Sequence, residues 1–147
     1  MTLSRNARLM SGITVLIVPT IMYGGWTLLG ILTHGSVGSA ARGLQLNETQ
    51  WALWRAGHAH AGVWTILSLV LQVLLDSTRL SSGFTWLARI CAPLAAVAFS
   101  GALFGLAFST AFSALLYLGI VLMLIALLTT GVGLLRGVGR QFSGQGP

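Results

Sequence analysis

Four long apolar runs, separated by short charged or turn-forming stretches, constrain this chain more than any motif does. Ser11 to Thr33, His58 to Leu75, Thr85 to Phe108 and Ala111 to Leu135 each approach or exceed the length, about 20 helical residues, that crosses a hydrocarbon layer about 30 Å thick. A backbone in lipid must satisfy its own polar groups, and segments of this length do so as helices. The expected fold is all-α: a polytopic membrane bundle of four transmembrane helices, one domain over residues 1–147. Charged residues make up 7% of the chain and hydrophobic ones 55%, with mean hydropathy +0.87, whereas soluble domains carry about a quarter charged residues.

A net charge of +6 would suggest a nucleic-acid partner in a soluble protein. In a membrane chain the arginines report orientation instead, and no nucleic acid is expected. Arg5 and Arg8 precede the first run, Arg79 and Arg89 lie around the turn between the second and third, and Arg136 and Arg140 follow the last. Only Arg42 and Arg55 fall between the first two. This asymmetry predicts a multi-pass protein of the cell membrane with both termini in the cytoplasm, which places His34, His58 and His60 at the outer end and Asp76 and Cys91 at the inner end. The leading arginines and first run also fit a secretory signal peptide cut near Ser39-Ala40, but the run exceeds the usual apolar length of about 7–15 residues and is read as a span.

Composition removes several chemistries. The two acids, Glu48 and Asp76, are expected on opposite sides, which excludes a carboxylate pair and a relay of several intramembrane acids. No serine or cysteine sits in a nucleophile elbow or dyad spacing, and Cys91, the single cysteine, cannot form an intramolecular disulfide. An enzyme built from these residues takes its hard chemistry from a cofactor.

The second helix carries the densest pattern. Asn47 followed by Gln50 reads as a capping box, and nothing from Glu48 to Asp76 breaks a helix except Gly57 and Gly62, so the helix is predicted to begin outside the membrane and cap the outer end of the bundle. Asn47-Glu48-Thr49 also matches a glycosylation acceptor, a short and unspecific pattern. At about 100° per residue, Trp51, Trp54, His58, Gly62, Thr65, Gln72 and Asp76 fall within roughly 40° of His58. Such a stripe faces protein, water or a cofactor rather than lipid. His60 projects about 160° away, on the side of Trp64, so both histidines cannot face one site on a regular helix. Helix one has a stripe of Thr20, Tyr23, Thr27 and His34 with Pro19 as an expected kink, and helix three a small ridge of Gly101, Gly105 and Ser109 suited to a close backbone or a flat ligand.

A porphyrin fits these clues: an axial imidazole from His58, small residues beside it, Trp54 at the rim, and Arg55 or Arg42 for the propionates. The competing reading is that His58 bonds locally, the tryptophans form an interfacial belt, and the helix-three glycines and both tyrosines serve packing and anchoring. With histidines at only one depth, a pair of stacked hemes wiring electrons across the bilayer is disfavoured.

The run Trp54-Arg55-Ala56-Gly57-His58-Ala59-His60 resembles the Trp-Ala-Arg-Ala-His-Ser-Gly run at the start of the second helix in the styrene oxide isomerase family. Tryptophan and histidine keep their spacing while the arginine moves by one place. Length, four spans and a Gly/Ser-rich first loop are similar too. Ala59-His60-Ala61-Gly62 offers a second register with His60 as ligand, but His58 lies on the polar stripe. The resemblance implies heme b, His58 as the axial ligand of ferric iron, a homotrimer with heme near subunit interfaces, and rearrangement of a small apolar epoxide to a carbonyl compound. Where the family has an asparagine after the histidine this chain has Trp64, and Leu103 and Phe104 stand where its tyrosine would be, leaving Tyr23 and Tyr117 as the tyrosines available for catalysis with His58. The cofactor set read from sequence is His58, Trp54, Arg55, Gly62, Gly101 and Gly105, with His58 on the metal. Two rival readings are a b-type redox or gas-sensing subunit using His34 or His60 as a second ligand, and a non-enzymatic membrane partner associating through Gly101 and Gly105.

Overall fold

The computed structural model describes residues 3–34, 37–38 and 45–143, with side chains through residue 137. Among the described residues there is no strand: α1 spans Arg5–Leu32, α2 Glu48–Leu75, α3 Ser82–Leu106 and α4 Ser113–Ser143, with one 3-10 turn, Thr110–Phe112, leading into α4. Four helices are long and apolar enough to cross a membrane, as the apolar runs require.

Local chemistry sets the ends. Ser4 caps α1, its Oγ accepting from the Ala7 N–H at 3.1 Å, so the helix starts six residues before the apolar run. Both bonds of the Asn47–Gln50 capping box form at 2.9 Å. Gln50 Nε2 also donates to the Ala107 carbonyl at 2.8 Å, so the first turn of α2 satisfies an acceptor left over at the C-terminus of α3. Pro19 lies inside α1, which runs unbroken past it.

The central layer is α3, packed between α2 and α4, while α1 leans on α2 and hardly touches α3. Leu71, Cys91, Ala92, Ala95, Met123 and Ala126 form the core of the three-helix part, with Trp64, Leu67, Leu122 and Ile125 against it. Small side chains let the backbones approach, which is what drives association where lipid is as apolar as leucine. One such approach is at Gly119 of α4: a Cβ there would lie 2.7 Å from the Phe99 nitrogen and 2.9 Å from its Cα. Those are backbone atoms that cannot rotate away. Gly119→Val is therefore expected to wedge α3 from α4 and lower stability by about 1–3 kcal/mol in detergent unfolding. Gly131→Val, whose Cβ meets nothing within 4 Å, is the near-neutral comparison.

At the opposite end from His58 sits a polar network built around Arg89, one of the arginines near the turn between the second and third runs. Arg89 is 2% exposed, in the second turn of α3. Its Nη2 pairs with Asp76, and its Nη1 donates to the Gln72 carbonyl at 3.0 Å and to Gln72 Oε1 at 3.1 Å. Gln72 Nε2 returns a bond to the Arg89 carbonyl at 2.9 Å. The Asp76 carboxylate also accepts from the Ser4 backbone N–H at 2.6 Å and the Ser4 hydroxyl at 2.7 Å, which ties the start of α1 to the end of α2.

Candidate functional site

His58 occupies the third turn of α2, half-buried against α1. Its seat is a pair of glycines that sequence reasoning passed over. A Cβ at Gly25 would stand 2.9 Å from the imidazole Cε1 and 3.0 Å from Nε2, and one at Gly24 would stand 3.9 Å from Nδ1. The ring thus fills the space that side chains would take. Gly57, one residue earlier, turns the other way: a Cβ there would meet Leu103 and Phe104 of α3 at 3.2–3.3 Å. Successive small residues let α2 approach both neighbours while the imidazole projects toward α1.

None of the seven stripe residues from Trp51 to Asp76 is exposed, whereas Val63, Ile66, Val70 and Val73, turned roughly 60–140° from His58, are. His60 lies where its helical angle put it, with Trp64 and Phe99 around it at ring separations of 6.3 and 5.1 Å. Its Nδ1 is 2.8 Å from the Ala56 carbonyl. A carbonyl only accepts, so Nδ1 carries the proton and the ring is fixed away from His58. Within one chain the two imidazoles serve different sides of the helix.

The remaining sequence candidates separate. Trp54 packs edge-on against Phe104 and Phe108, with centroids 5.6 and 6.0 Å away, and its buried Nε1–H has no partner. Arg55 is exposed beside a hollow bounded by Leu32, Glu48 and Trp51. Gly62 and Gly101 face open space, but Gly105 does not: a Cβ there would fall 2.3 Å from the Phe112 ring, so that glycine makes room for the 3-10 turn rather than for a cofactor. Tyr23 and Tyr117 are 67% and 66% exposed on the outsides of α1 and α4, and neither lines the cavity beyond His58. On α1 the packed face carries Ala7, Thr14, Leu28 and Ile31 instead of the tyrosine stripe. His34 is exposed at the end of α1 with φ 51°, and Arg42 lies outside the described residues.

That cavity, about 200 Å³, lies between α1, α2 and α3 and begins with Ala61, one turn on from His58. Thr14, Thr65, Ser100, Gly101 and Phe104 also line it. Ser100 is 5% exposed and its Oγ has no hydrogen-bond partner among the described residues, a feature that sequence alone did not mark.

Axial ligation of a heme asks for a ring nitrogen free to bind and for space beside it. Among the described residues neither nitrogen of His58 takes part in a hydrogen bond, and its Cε1–Nε2 edge lies against α1 at Gly25, while His60 donates from Nδ1 and keeps Nε2 for a ligand. No three His, Cys, Asp or Glu side chains converge among the described residues, so they form no all-protein metal cage there. His58 supplies a donor of the right chemistry, with its Cε1–Nε2 edge packed against α1. Enclosure of a flat ring does not come from one chain, because His58 is half-buried against α1 and is absent from the lining of the nearby cavity.

Fold and site together define a four-helix membrane-type bundle with one imidazole seated on a diglycine and an adjoining apolar cavity. No known family pattern, characterised protein or solved structure matches the chain.

Proposed function

We propose that this protein is a heme b-dependent membrane isomerase that converts a small apolar epoxide to a carbonyl compound, with His58 as the axial ligand. The observation that carries the reading is the seating of His58 on Gly24 and Gly25 with both ring nitrogens uncommitted. Bound ferric heme supplies a Lewis acid for the epoxide oxygen, a rearrangement that consumes no electrons and needs no carboxylate pair. The chain's part is to orient the imidazole through α1 and to offer an apolar, laterally open chamber to a substrate partitioning from lipid. Resemblance to the styrene oxide isomerase family adds the homotrimer, in which a neighbouring chain would help enclose the cofactor. With Arg89 withdrawn into its ion pair, Arg5, Arg8, Arg79, Arg136 and Arg140 still outnumber Arg42 and Arg55, which favours cytoplasmic termini. A redox subunit with two imidazoles on one iron is the weaker reading, because His60 projects from the other side of α2, toward Trp64 and Phe99 and away from His58.

The test is the absorption spectrum of the purified oxidised protein. A heme band that shifts on adding cyanide, together with turnover of an aryl epoxide without reductant, is the expected result. Colourless protein from cells supplied with ample heme overturns the assignment, and a band indifferent to cyanide replaces the isomerase with the two-imidazole subunit.

A further inference from the structure

We propose that the hollow between the start of α3 and the end of α4 seats one anionic phospholipid, with its phosphate on Arg136 and the first part of an acyl chain against Leu80, Phe84, Leu128 and Val132. The inference does not depend on the heme reading, since the hollow lies at the opposite end of the bundle from His58.

Packing fixes the walls. A Cβ on Gly133 would stand 2.8 Å from Leu80 and 2.9 Å from Thr78, so the inner part of α4 rests directly on the turn between α2 and α3. Beside that contact a hollow of about 260 Å³ stays open, and Phe84, Leu128 and Val132 around it are 59%, 65% and 44% exposed. Lipid tails are as apolar as these side chains, so a chain lies against them without stranding a polar group.

Charge decides which lipid. The chain has two acidic side chains: Glu48 opens α2 at the far end, and Asp76 is engaged by Arg89 and by both Ser4 donors. Arg136 is exposed on the rim of the hollow, and neither acid neutralises it. A phosphate does so through paired N–H donors, and anionic lipids gather at basic residues of the membrane surface. A zwitterionic lipid brings a cation to the same place and gains less. Polarity along the hollow matches the rest of a phospholipid. Thr129 lies on the same face of α4 as Arg136, about 10 Å away along the axis. Thr130 Oγ1 donates to the Ala126 carbonyl at 2.7 Å, whereas the Thr129 hydroxyl makes no such bond among the described residues and is not shut off from the surface. It is left to donate to an ester carbonyl, the acceptor that follows the phosphate on the way to the chains.

The experiment is native mass spectrometry of the purified protein in detergent, titrated with phosphatidylglycerol or with phosphatidylcholine of the same chains. Saturable binding of one phosphatidylglycerol about fivefold tighter than phosphatidylcholine is expected, the worth of one arginine beside an anionic headgroup. Arg136→Gln is expected to erase that preference. Arg8→Gln removes an exposed charge from α1, which has no packing contact with α4 among the described residues, and is expected to keep it. Thr129→Val is expected to weaken both lipids about fivefold, the loss of one ordinary hydrogen bond, and to leave their ratio unchanged. Glycerol 3-phosphate, a phosphate without chains, is expected not to compete. An undiminished preference in Arg136→Gln, or an equal loss in Arg8→Gln, reduces the binding to net charge and overturns the seat. Unchanged affinity in Thr129→Val overturns the placement of the lipid in this hollow, and displacement by glycerol 3-phosphate overturns the lipid in favour of a free phosphate.

Discussion

Gly25→Leu is expected to strip the protein of heme about as thoroughly as His58→Ala, although residue 25 has no atom capable of ligating iron. A Cβ at this position would lie 2.9 Å from Cε1 and 3.0 Å from Nε2 of His58, and a leucine extends further along the same line. The imidazole must leave its seat or α1 must leave α2. Partners that orient a metal ligand are worth about 10–100-fold in affinity, and displacing the ligand itself belongs at the upper end. Heme content per chain, read from the absorption band against protein concentration, is the measurement. Gly24→Ala places a methyl 3.9 Å from Nδ1, an ordinary contact, and should keep its heme; Gly12→Leu meets nothing within 4 Å of its Cβ and controls for bulk added to α1. A full band in Gly25→Leu, with helicity intact, would mean that the seating of His58 has no bearing on cofactor binding.

How far these features are legible in sequence depends on the range of the interaction that makes them. The Asn47–Gln50 capping box and the stripe from Trp51 to Asp76 are set by residues three and four apart on one helix, and the side-chain periodicity displays them. The diglycine under His58 is a contact between two helices whose rotation about their axes no local pattern fixes, so Gly24-Gly25 looks like any small pair in a span. Gly101 and Gly105 share one ridge in sequence yet meet different fates, because the 3-10 turn drops Phe112 onto the second and leaves the first open. In sequence Arg89 is one of several arginines near a turn, and nothing local marks its partners. Only the α2–α3 hairpin brings Gln72 and Asp76, 17 and 13 residues earlier, around it.

Replacing Asp76 by leucine is expected to destabilise the bundle by about 3–5 kcal/mol, the range for removing one partner of a buried ion pair. The charge left behind belongs to Arg89, 2% exposed and with its Nε already lacking a partner, so nothing nearby can take over from the carboxylate. The two Ser4 donors lose their acceptor at the same time, which loosens the start of α1 from the end of α2. Unfolding in detergent should show the loss, and Asp76→Leu combined with Arg89→Met should recover much of it, because an apolar pair of similar volume carries no stranded charge. If the single variant is as stable as the native chain, the pair is solvated and the network does not hold the helices. The same carboxylate predicts an acid limb. Burial works against its ionisation, yet the Ser4 N–H, the Ser4 hydroxyl and Arg89 together outweigh that and hold it below the ordinary carboxylate value of 3.8. A group held lower in the folded than in the unfolded chain contributes stability that is fully present above 3.8 and is lost as pH falls through its folded value. This contribution of Asp76 is therefore constant from neutral pH down to the ordinary carboxylate range and declines below it. In Asp76→Leu that part of the acid dependence should be missing, which separates the ion pair from acid effects elsewhere in the bundle.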